Sequence, residues 1–504
     1  MKFFQTLVNI KNKSVPMIES FFIEHYRIFN KPTLFLMILF GTALFPLFRA
    51  DVNYIDDSMR ALNGGRDWAY LHSRWTSEYL SVLVHADYKL RDIAPLTQIL
   101  AIFLISLASV IFCWIVCEKK LTKAGILISA LLGLSPFYLE CFAFKFDSPY
   151  MALSVLASIF PFIFAFKNKK IFATISFFSL LVMLTTYQLS GGIYIMIVIF
   201  LLFQSWNAKS HTLEELRNFF LISTGSYIAA LTFFRIFLLK TQIFQYNTIF
   251  SFSEMLPGVL DNIQKNFEKI IGSFNVFWIW ILAIMIILFA IKSIIVSKQN
   301  KFASLALSLL TLILLFFFFQ GFFIFVDNVG SVPRYLSGFN TFIVLIALYL
   351  AKPPYKIFSI PAFVLLYCFF VFSFAFGNAL EYQKDYKIFY ATMLINDLSK
   401  IIVDEKDLIE NSKIYFMDPI GNSPGVKSLQ RDYPIIRNLV PNDFGKHVFG
   451  YTNLAWYNFP ATQTEAISRQ QKKQAENFPV LVDSYYYTIR SENGKDFYIW
   501  FNNQ

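Results

Sequence analysis

The residues best suited to chemistry lie in one polar stretch, Phe48 to Leu96, which follows the first apolar segment. This stretch contains the adjacent carboxylates Asp56 and Asp57, with five arginines and two histidines, in a chain of which only 15% is charged. A carboxylate can take a proton from an attacking hydroxyl, and arginine suits phosphate through its fork of N–H donors. The spacing of the acidic pair to Arg60 is that of helix neighbours, so we expect one carboxylate to pair with Arg60 while the other stays free.

A structural role is the alternative for the acidic pair. Aspartate at the start of a helix commonly caps its N–H groups and interacts favourably with its dipole. Gly64-Gly65 is expected to separate this element from the next one. Apolar residues in Ser73 to His85 recur with the period of an amphipathic helix, which predicts a helix lying along the membrane surface.

Composition indicates a membrane protein rather than a soluble globule. The 504 residues are 56% hydrophobic and 19% aromatic, with a mean hydropathy of +0.52. The net charge of +11 comes largely from short lysine runs between apolar segments, as the positive-inside rule predicts. We therefore assign the excess charge to membrane topology, and we expect membrane lipid but no nucleic acid as a partner. Four cysteines without a CxxC pattern are expected to be core residues.

The predicted fold class is mainly α: a polytopic membrane protein of about eleven transmembrane helices, each near the ~20 residues that a bilayer requires. Residues 1–31 are expected to be a cytoplasmic N-terminal segment, and 32–376 the membrane body. The predicted spans are 32–48, 96–117, 122–139, 149–166, 171–187, 190–206, 217–238, 275–291, 302–323, 337–351 and 356–376. With the N-terminus inside, every lysine run falls on the cytoplasmic face. The connections 49–95, 140–148, 188–189, 239–274 and 324–336, with the C-terminal 377–504, then face outward.

The last ~130 residues predict a small α+β domain outside the membrane, because charges and turn residues return there. Leu380 to Ile409 is predicted as a helix and Lys413 to Met417 as a strand. Val480 to Arg490 and Lys495 to Phe501 are predicted as strands of a hairpin around Glu492-Asn493-Gly494.

The predicted outward connections hold most of the unusual polar side chains. They include Lys145 and Asp147 with Glu140 in 140–148, Gln188, and Arg334 with Asp327 in 324–336. Any one of them can be explained as an ordinary loop residue. Their position on the side of the acidic pair predicts an outward-facing active site, since charged groups near hydrocarbon need partners or a wet cavity. No HExxH, GxSxG, Walker-A or GxGxxG pattern occurs, so the sequence gives no sign of a zinc, serine-hydrolase or nucleotide site.

The order of motifs resembles the Gtr type II family, the serotype-converting O-antigen glucosyltransferases. The motifs extend over roughly residues 40–390 and are YIDDSMRALNG followed by DIAPLTQIL, then FKFDSPYMAL, TTYQLSGGIYI, VPRYLSGF and FGNALEYQKDY. The resemblance implies a GT-C-type fold in the cytoplasmic (inner) membrane and a donor hexose, usually glucose, on undecaprenyl phosphate. It implies a growing or lipid-linked polysaccharide, such as the O-antigen of lipopolysaccharide, as the acceptor. It places the acidic pair at the family's candidate catalytic carboxylate, Asp147 in a second acidic motif and Arg334 in the PR motif.

From these residues we predict a base at Asp57 or Asp56, and phosphate contacts from Arg60, Arg74, Lys145 or Arg334. Asp147 and Gln188 are further candidate substrate-binding residues. A monophosphate donor requires no divalent metal, so no cofactor or metal is predicted. Two other functions stay open: a polysaccharide polymerase, and a transporter or flippase of lipid-linked sugars. A transporter would favour charged or broken helices at mid-membrane, whereas the charges here lie at the predicted outer helix ends.

Overall fold

The computed structural model of the chain describes residues 27–240, 248–327, 329–330, 332–402, 413–442, 444, 454–459 and 469–502. These residues form a mainly helical body followed by a small C-terminal sheet. Of the predicted cytoplasmic segment 1–31, residues 1–26 lie outside the described residues.

A helix lies at each of the eleven predicted apolar spans. The helices of the body are 27–43, Phe45–Ala50, Leu96–Val116, Lys123–Ser129, Leu131–Leu134, Pro136–Ala143, Ser148–Ile159, Lys169–Leu184, Gly191–Asn207, Leu213–Phe233, Val276–Val296, Lys301–Phe317, Gly338–Ala351 and Ile360–Ile401. One more helix, Met255–Ser273, lies where we predicted an outward connection. Its Asn262 donates hydrogen bonds of 3.0 Å to the carbonyls of Ile324 and Val326, which holds the helix against the body.

Five helices of the described chain are long and apolar enough to cross a membrane. They are Leu96–Val116, Gln188–Asn207, Leu213–Leu238, Val276–Val296 and Lys356–Ile401. A sixth span is formed if Lys123–Leu134 and Pro136–Ala143, which meet at 63°, count as one broken span. Ser148–Phe164, Lys301–Phe317 and Gly338–Ala351 are apolar but shorter. Length and composition therefore support a membrane protein and identify five or six candidate spans in the described residues, and they do not confirm the predicted count of eleven.

Close backbone packing joins two of the polar connections. A Cβ on Gly192 or on Gly338 would overlap the carbonyl oxygen of Phe319, and Gly321 has a φ of +60°. These glycines let the turn before helix Gly191–Asn207 and the turn before helix Gly338–Ala351 approach the same backbone segment. Gln188 and Arg334 belong to these two turns, so the contact brings their parts of the chain together.

The first polar loop is folded into three short helices, Asp57–Asn63, Trp68–His72 and Trp75–His85. The first ends at Gly64, whose φ of +66° permits the turn that we predicted for the Gly-Gly pair. The amphipathic helix predicted over Ser73 to His85 is confirmed as a helix that begins at Trp75. The indole of Trp75 donates to the Leu238 carbonyl at 2.7 Å, which fixes the loop to the body.

The C-terminal sheet has the strand order β1-β4-β3-β2, with β1 Lys413–Phe416, β2 Val480–Asp483, β3 Tyr487–Arg490 and β4 Asp496–Phe501. Strands β1 and β4 are parallel, and the other pairs are antiparallel. The predicted β3–β4 hairpin and the strand at Lys413 are confirmed. The prediction of one strand over 480–490 is wrong, because the hydroxyl of Ser484 accepts the N–H groups of Tyr486 and Tyr487 and so stabilises a turn between two strands.

The helix Ile360–Ile401 joins the body to the C-terminal region without a break. Its first half packs in the large core of the body, whereas Tyr390 to Ile402 pack against the sheet. The helices Pro424–Asp432 and Ile436–Leu439 return to the body core through residues such as Val426 and Leu439, and Arg469–Ala475 precedes the sheet. The predicted domain boundary at 376–377 therefore falls inside one continuous helix.

Candidate active site

The two adjacent aspartates have different environments. Asp57 is fully buried: its Oδ2 accepts the N–H groups of Lys145 at 2.8 Å and Tyr54 at 3.3 Å, and its Oδ1 has no hydrogen-bond partner in the described part of the chain. Asp56 is half-buried at the N-cap position of helix Asp57–Asn63, but its side chain makes no capping hydrogen bond. The pair therefore does not cap this helix by the usual side-chain contact.

Burial raises the pKa of the Asp57 carboxyl from its ordinary value of 3.8 to about 7. The two backbone N–H groups and the positive charge of Arg60 oppose this rise, and the charge of Asp56 adds to it. Asp57 is consequently divided between its protonated and ionised forms near neutral pH.

Asp147 connects two arginines of the first loop. It forms an ion pair with Arg60, accepts the indole N–H of Trp68 at 2.6 Å, and lies 4.0 Å from Arg74. The predicted ion pair between Arg60 and one of the adjacent aspartates is wrong within the described residues. Asp147, from a distant part of the sequence, supplies the carboxylate instead, and Arg60 also packs over the Trp68 ring at 4.7 Å.

Arg74 is a buried cation with weak partners. Its side chain is 17% exposed, its nearest carboxylate is that of Asp147 at 4.0 Å, and its Nε donates to Gln188 at a long 3.5 Å. The guanidinium also lies 5.0 Å from the centre of the Tyr187 ring. Gln188 is held by a 2.9 Å hydrogen bond from its amide to the carbonyl of His72. Within the described residues, Arg74 therefore keeps donor capacity for an anion.

Arg334 is held by the 140–148 connection. Its guanidinium forms an ion pair with Glu140, and its backbone N–H donates to the other oxygen of that carboxylate at 2.6 Å. Glu140 is almost fully buried, and Arg334 packs over the Phe144 ring at 4.9 Å. Two motifs nearly two hundred residues apart are thereby joined.

Arg60, Arg74 and Arg334 converge, and we call them the arginine cluster. Burial lowers the pKa of the His72 imidazole, and the positive charges of the three arginines lower it further, to about 3. All three arginines therefore lie close enough to His72 to act on it electrostatically. His72 is therefore neutral at neutral pH. No sequence pattern pointed to this residue, because its environment depends on three separate segments of the chain.

Lys145 is separate from the arginine cluster. Its ammonium group pairs with Asp51 at 2.6 Å and Asp92 at 3.0 Å, and it lines a cavity of about 250 Å³ that Asp51 also borders. Its backbone N–H, not its charge, contacts Asp57. Sequence reasoning did not single out Asp51 or Asp92, since nothing in their spacing indicates the distant lysine.

The FGNALEYQKDY motif contacts the start of the first loop. Arg49 donates to Asn378 at 2.7 Å and forms an ion pair with Glu381, and Lys384 donates to the Ala50 carbonyl at 2.5 Å. The motif thus fixes the segment that leads to the acidic pair. Among the described residues, no three His, Cys, Asp or Glu side chains are arranged to hold a metal ion.

Comparison with known proteins agrees with the motif order. The family model for glucosyl transferase GtrII matches residues 45–351. One similar protein is an uncharacterized 55.3 kDa protein in the gtrB 5' region of Salmonella phage P22, 27% identical over 164 residues. That match spans 32% of this chain and 33% of the phage protein, and no solved structure matches. Since the family match covers more than half of the sequence and includes the acidic pair and the arginine cluster, the chain belongs to the glucosyl transferase GtrII family.

Proposed function

We propose that this protein transfers a hexose, with glucose as the first candidate, from undecaprenyl phosphate to a cell-surface polysaccharide such as O-antigen. The observation that carries the proposal is the arginine cluster, in which Arg60 interacts electrostatically with the acidic pair and Arg74 has no carboxylate closer than 4.0 Å among the described residues. Such a site offers positive charge for a phosphate next to a group that can accept a proton.

The proposed reaction takes place on the outward face of the cytoplasmic membrane. We infer that all eleven apolar segments cross the bilayer, with the short helices Ser148–Ile159 and Gly338–Ala351 buried in the protein body, and that the N-terminus is cytoplasmic. The first loop then lies outside the cytoplasm, away from nucleotide sugars. A lipid-carried donor is the chemistry that this location favours.

The arginine cluster stabilises the departing phosphate in this proposal. As the bond between the anomeric carbon and the phosphate oxygen breaks, negative charge develops on the phosphate and positive character on the sugar ring. Arg74 is the first candidate for the phosphate contact, since Arg60 and Arg334 already hold Asp147 and Glu140. Gln188 orients Arg74 through its side-chain oxygen.

Asp56 is the proposed base, and Asp57 is a positioning residue. The acceptor hydroxyl oxygen forms the new bond to the anomeric carbon, while its proton passes to the base. A base must lie within hydrogen-bond reach of that hydroxyl. Asp56 is partly exposed, whereas the carboxylate of Asp57 is buried and accepts the Lys145 N–H. The pKa of Asp57 would suit a base, but its carboxylate is buried. We therefore propose that Asp57 holds the 140–148 connection in place through the Lys145 N–H.

The test supplies membranes containing the protein with radiolabelled undecaprenyl-phosphate-glucose and polysaccharide. Wild type is expected to move the label into the polysaccharide, and Asp56→Asn is expected to lose this transfer by about 10²–10⁴-fold. Asp87→Asn is the matched control, because Asp87 is an exposed carboxylate of the same loop that pairs with Arg91.

Three results would contradict parts of the proposal. Full activity of Asp56→Asn in stably expressed protein would remove Asp56 as the base. Label that crosses the bilayer but stays on its lipid would indicate a transporter. Longer polysaccharide chains without added label would indicate a polymerase.

A further inference from the structure

A second cavity lies between the first loop and the C-terminal region. Its volume is about 320 Å³, within the range of roughly 300–1,000 Å³ for small-molecule sites. Asp51, Asn53 and Ser58 line it from the first loop, and Lys384 lines it from helix Ile360–Ile401. Trp456 and Tyr457 form the C-terminal side. None of the arginine cluster lines this cavity, so it is distinct from the proposed phosphate site.

The polar groups of the cavity favour a ligand with hydroxyl donors. The side-chain oxygen of Asn53 is buried and has no hydrogen-bond partner in the described residues. A buried acceptor without a donor is unfavourable, and a ligand hydroxyl that reaches it would satisfy it. Asp51, whose side chain is 69% exposed, offers a second acceptor although one of its oxygens contacts Lys145.

The aromatic side of the cavity favours a flat, partly apolar ligand. Trp456 and Tyr457 are each 45% exposed and adjacent in sequence. Hexopyranose rings present C–H groups on their faces and hydroxyls at their edges. Such a ring can pack against an aromatic side chain while its hydroxyls reach acceptors at the side.

We propose that this cavity binds a neutral hexose unit of the acceptor polysaccharide, with Trp456 against the ring and Asn53 accepting a sugar hydroxyl. The inference rests on the proposed function and names its acceptor subsite. Ser58 lines the cavity and directly follows the acidic pair in the chain, so the proposed base is two residues from the cavity wall. Donor phosphate and acceptor then approach Asp56 from two separate sites.

Binding is measured directly, without transfer, by saturation-transfer NMR on the full-length protein in nanodiscs. The probe is the single-repeat oligosaccharide released from the host cell's own surface polysaccharide. We expect Trp456→Ala and Asn53→Ala to bind it roughly tenfold more weakly than wild type, the size of one lost aromatic or hydrogen-bond contact. Tyr485→Ala is the matched control, because Tyr485 is 66% exposed in the C-terminal region and does not line the cavity.

Three outcomes would overturn the inference: equal binding by wild type and Trp456→Ala, no binding by wild type, or displacement of the saccharide by inorganic phosphate. The last would identify an anion site built on Lys384 and Lys387, which both line the cavity. Thermal unfolding of each variant shows whether it is folded, and Tyr457→Ala serves if Trp456→Ala is not. Saccharide binding by a wild-type protein that transfers no hexose would instead refute the proposed function and leave the binding site standing.

Discussion

The Asp57→Asn variant tests whether the buried carboxyl of Asp57 is partly protonated in the folded protein. A pKa raised from 3.8 to about 7 means that folding disfavours the ionised form of Asp57 by about 4 kcal/mol. In the unfolded chain the carboxyl ionises near its ordinary pKa of 3.8. Between that pH and about 7 the folded protein therefore holds a proton that the unfolded chain has lost.

The sign of the pH dependence follows from this difference. Below both pKa values the Asp57 carboxyl contributes nothing to the pH dependence of stability, since it is protonated in the folded and in the unfolded protein. As the pH rises from about 4 to 7, the free energy of unfolding falls by about 1.4 kcal/mol per pH unit, and above 7 it is constant. Asp57→Asn cannot ionise, so we expect its stability to depend less on pH than that of wild type.

Thermal unfolding in detergent over about pH 5 to 8 measures the effect. The unfolding midpoints of the variants are compared with one another and not converted to free energies, because unfolding of a protein of this size need not be two-state. Asp87→Asn is the control and should keep the wild-type pH dependence, since Asp87 is an exposed carboxylate that pairs with Arg91 and does not act on Asp57. If the unfolding midpoints of wild type and Asp57→Asn stay parallel across this range, Asp57 is ionised in the folded protein and the reasoning is refuted.

Two further predictions concern the arginine cluster. Arg74→Gln is expected to reduce hexose transfer by about 10²–10³-fold, because a charged donor to the leaving phosphate is lost, whereas the exposed Arg91→Gln should have wild-type activity. Equal activity of both variants would exclude Arg74 from phosphate binding. Glu140→Gln should destabilise the protein by about 3–5 kcal/mol in thermal or denaturant unfolding, because Arg334 is left buried without its carboxylate. Adding Arg334→Gln should then cost little more, since the two residues are coupled, and additive losses would contradict the pairing.

The location of the helices could be predicted from apolar runs alone, because a continuous apolar segment has to be helical to satisfy its backbone in a membrane. The hairpin at 491–495 was also predictable, since Gly494 takes a φ of +70° that few other residues adopt. The turn at Ser484 was not, because it depends on a hydroxyl that replaces strand hydrogen bonds.

For the site, the sequence predicted which connections hold the polar residues but not how they pair. Asp147 rather than Asp56 or Asp57 pairs with Arg60, and Lys145 pairs with Asp51 and Asp92. These contacts join segments far apart in the chain, so their geometry depends on helix packing. Local spacing carries no information about it.

The unbroken helix Ile360–Ile401 has a consequence for distance. Its 42 residues extend about 63 Å, roughly twice the ~30 Å hydrocarbon thickness of a bilayer. Lys384, on the wall of the larger cavity, lies about 12 Å along this helix beyond the predicted membrane exit at 376. Arg49 of the first loop donates to Asn378 of this helix, and Lys384 of the helix donates to the Ala50 carbonyl, so the continuous helix holds the first loop at a fixed height. On the proposed function, it sets how far from the bilayer, and so how far along a membrane-anchored glycan, the added sugar is placed.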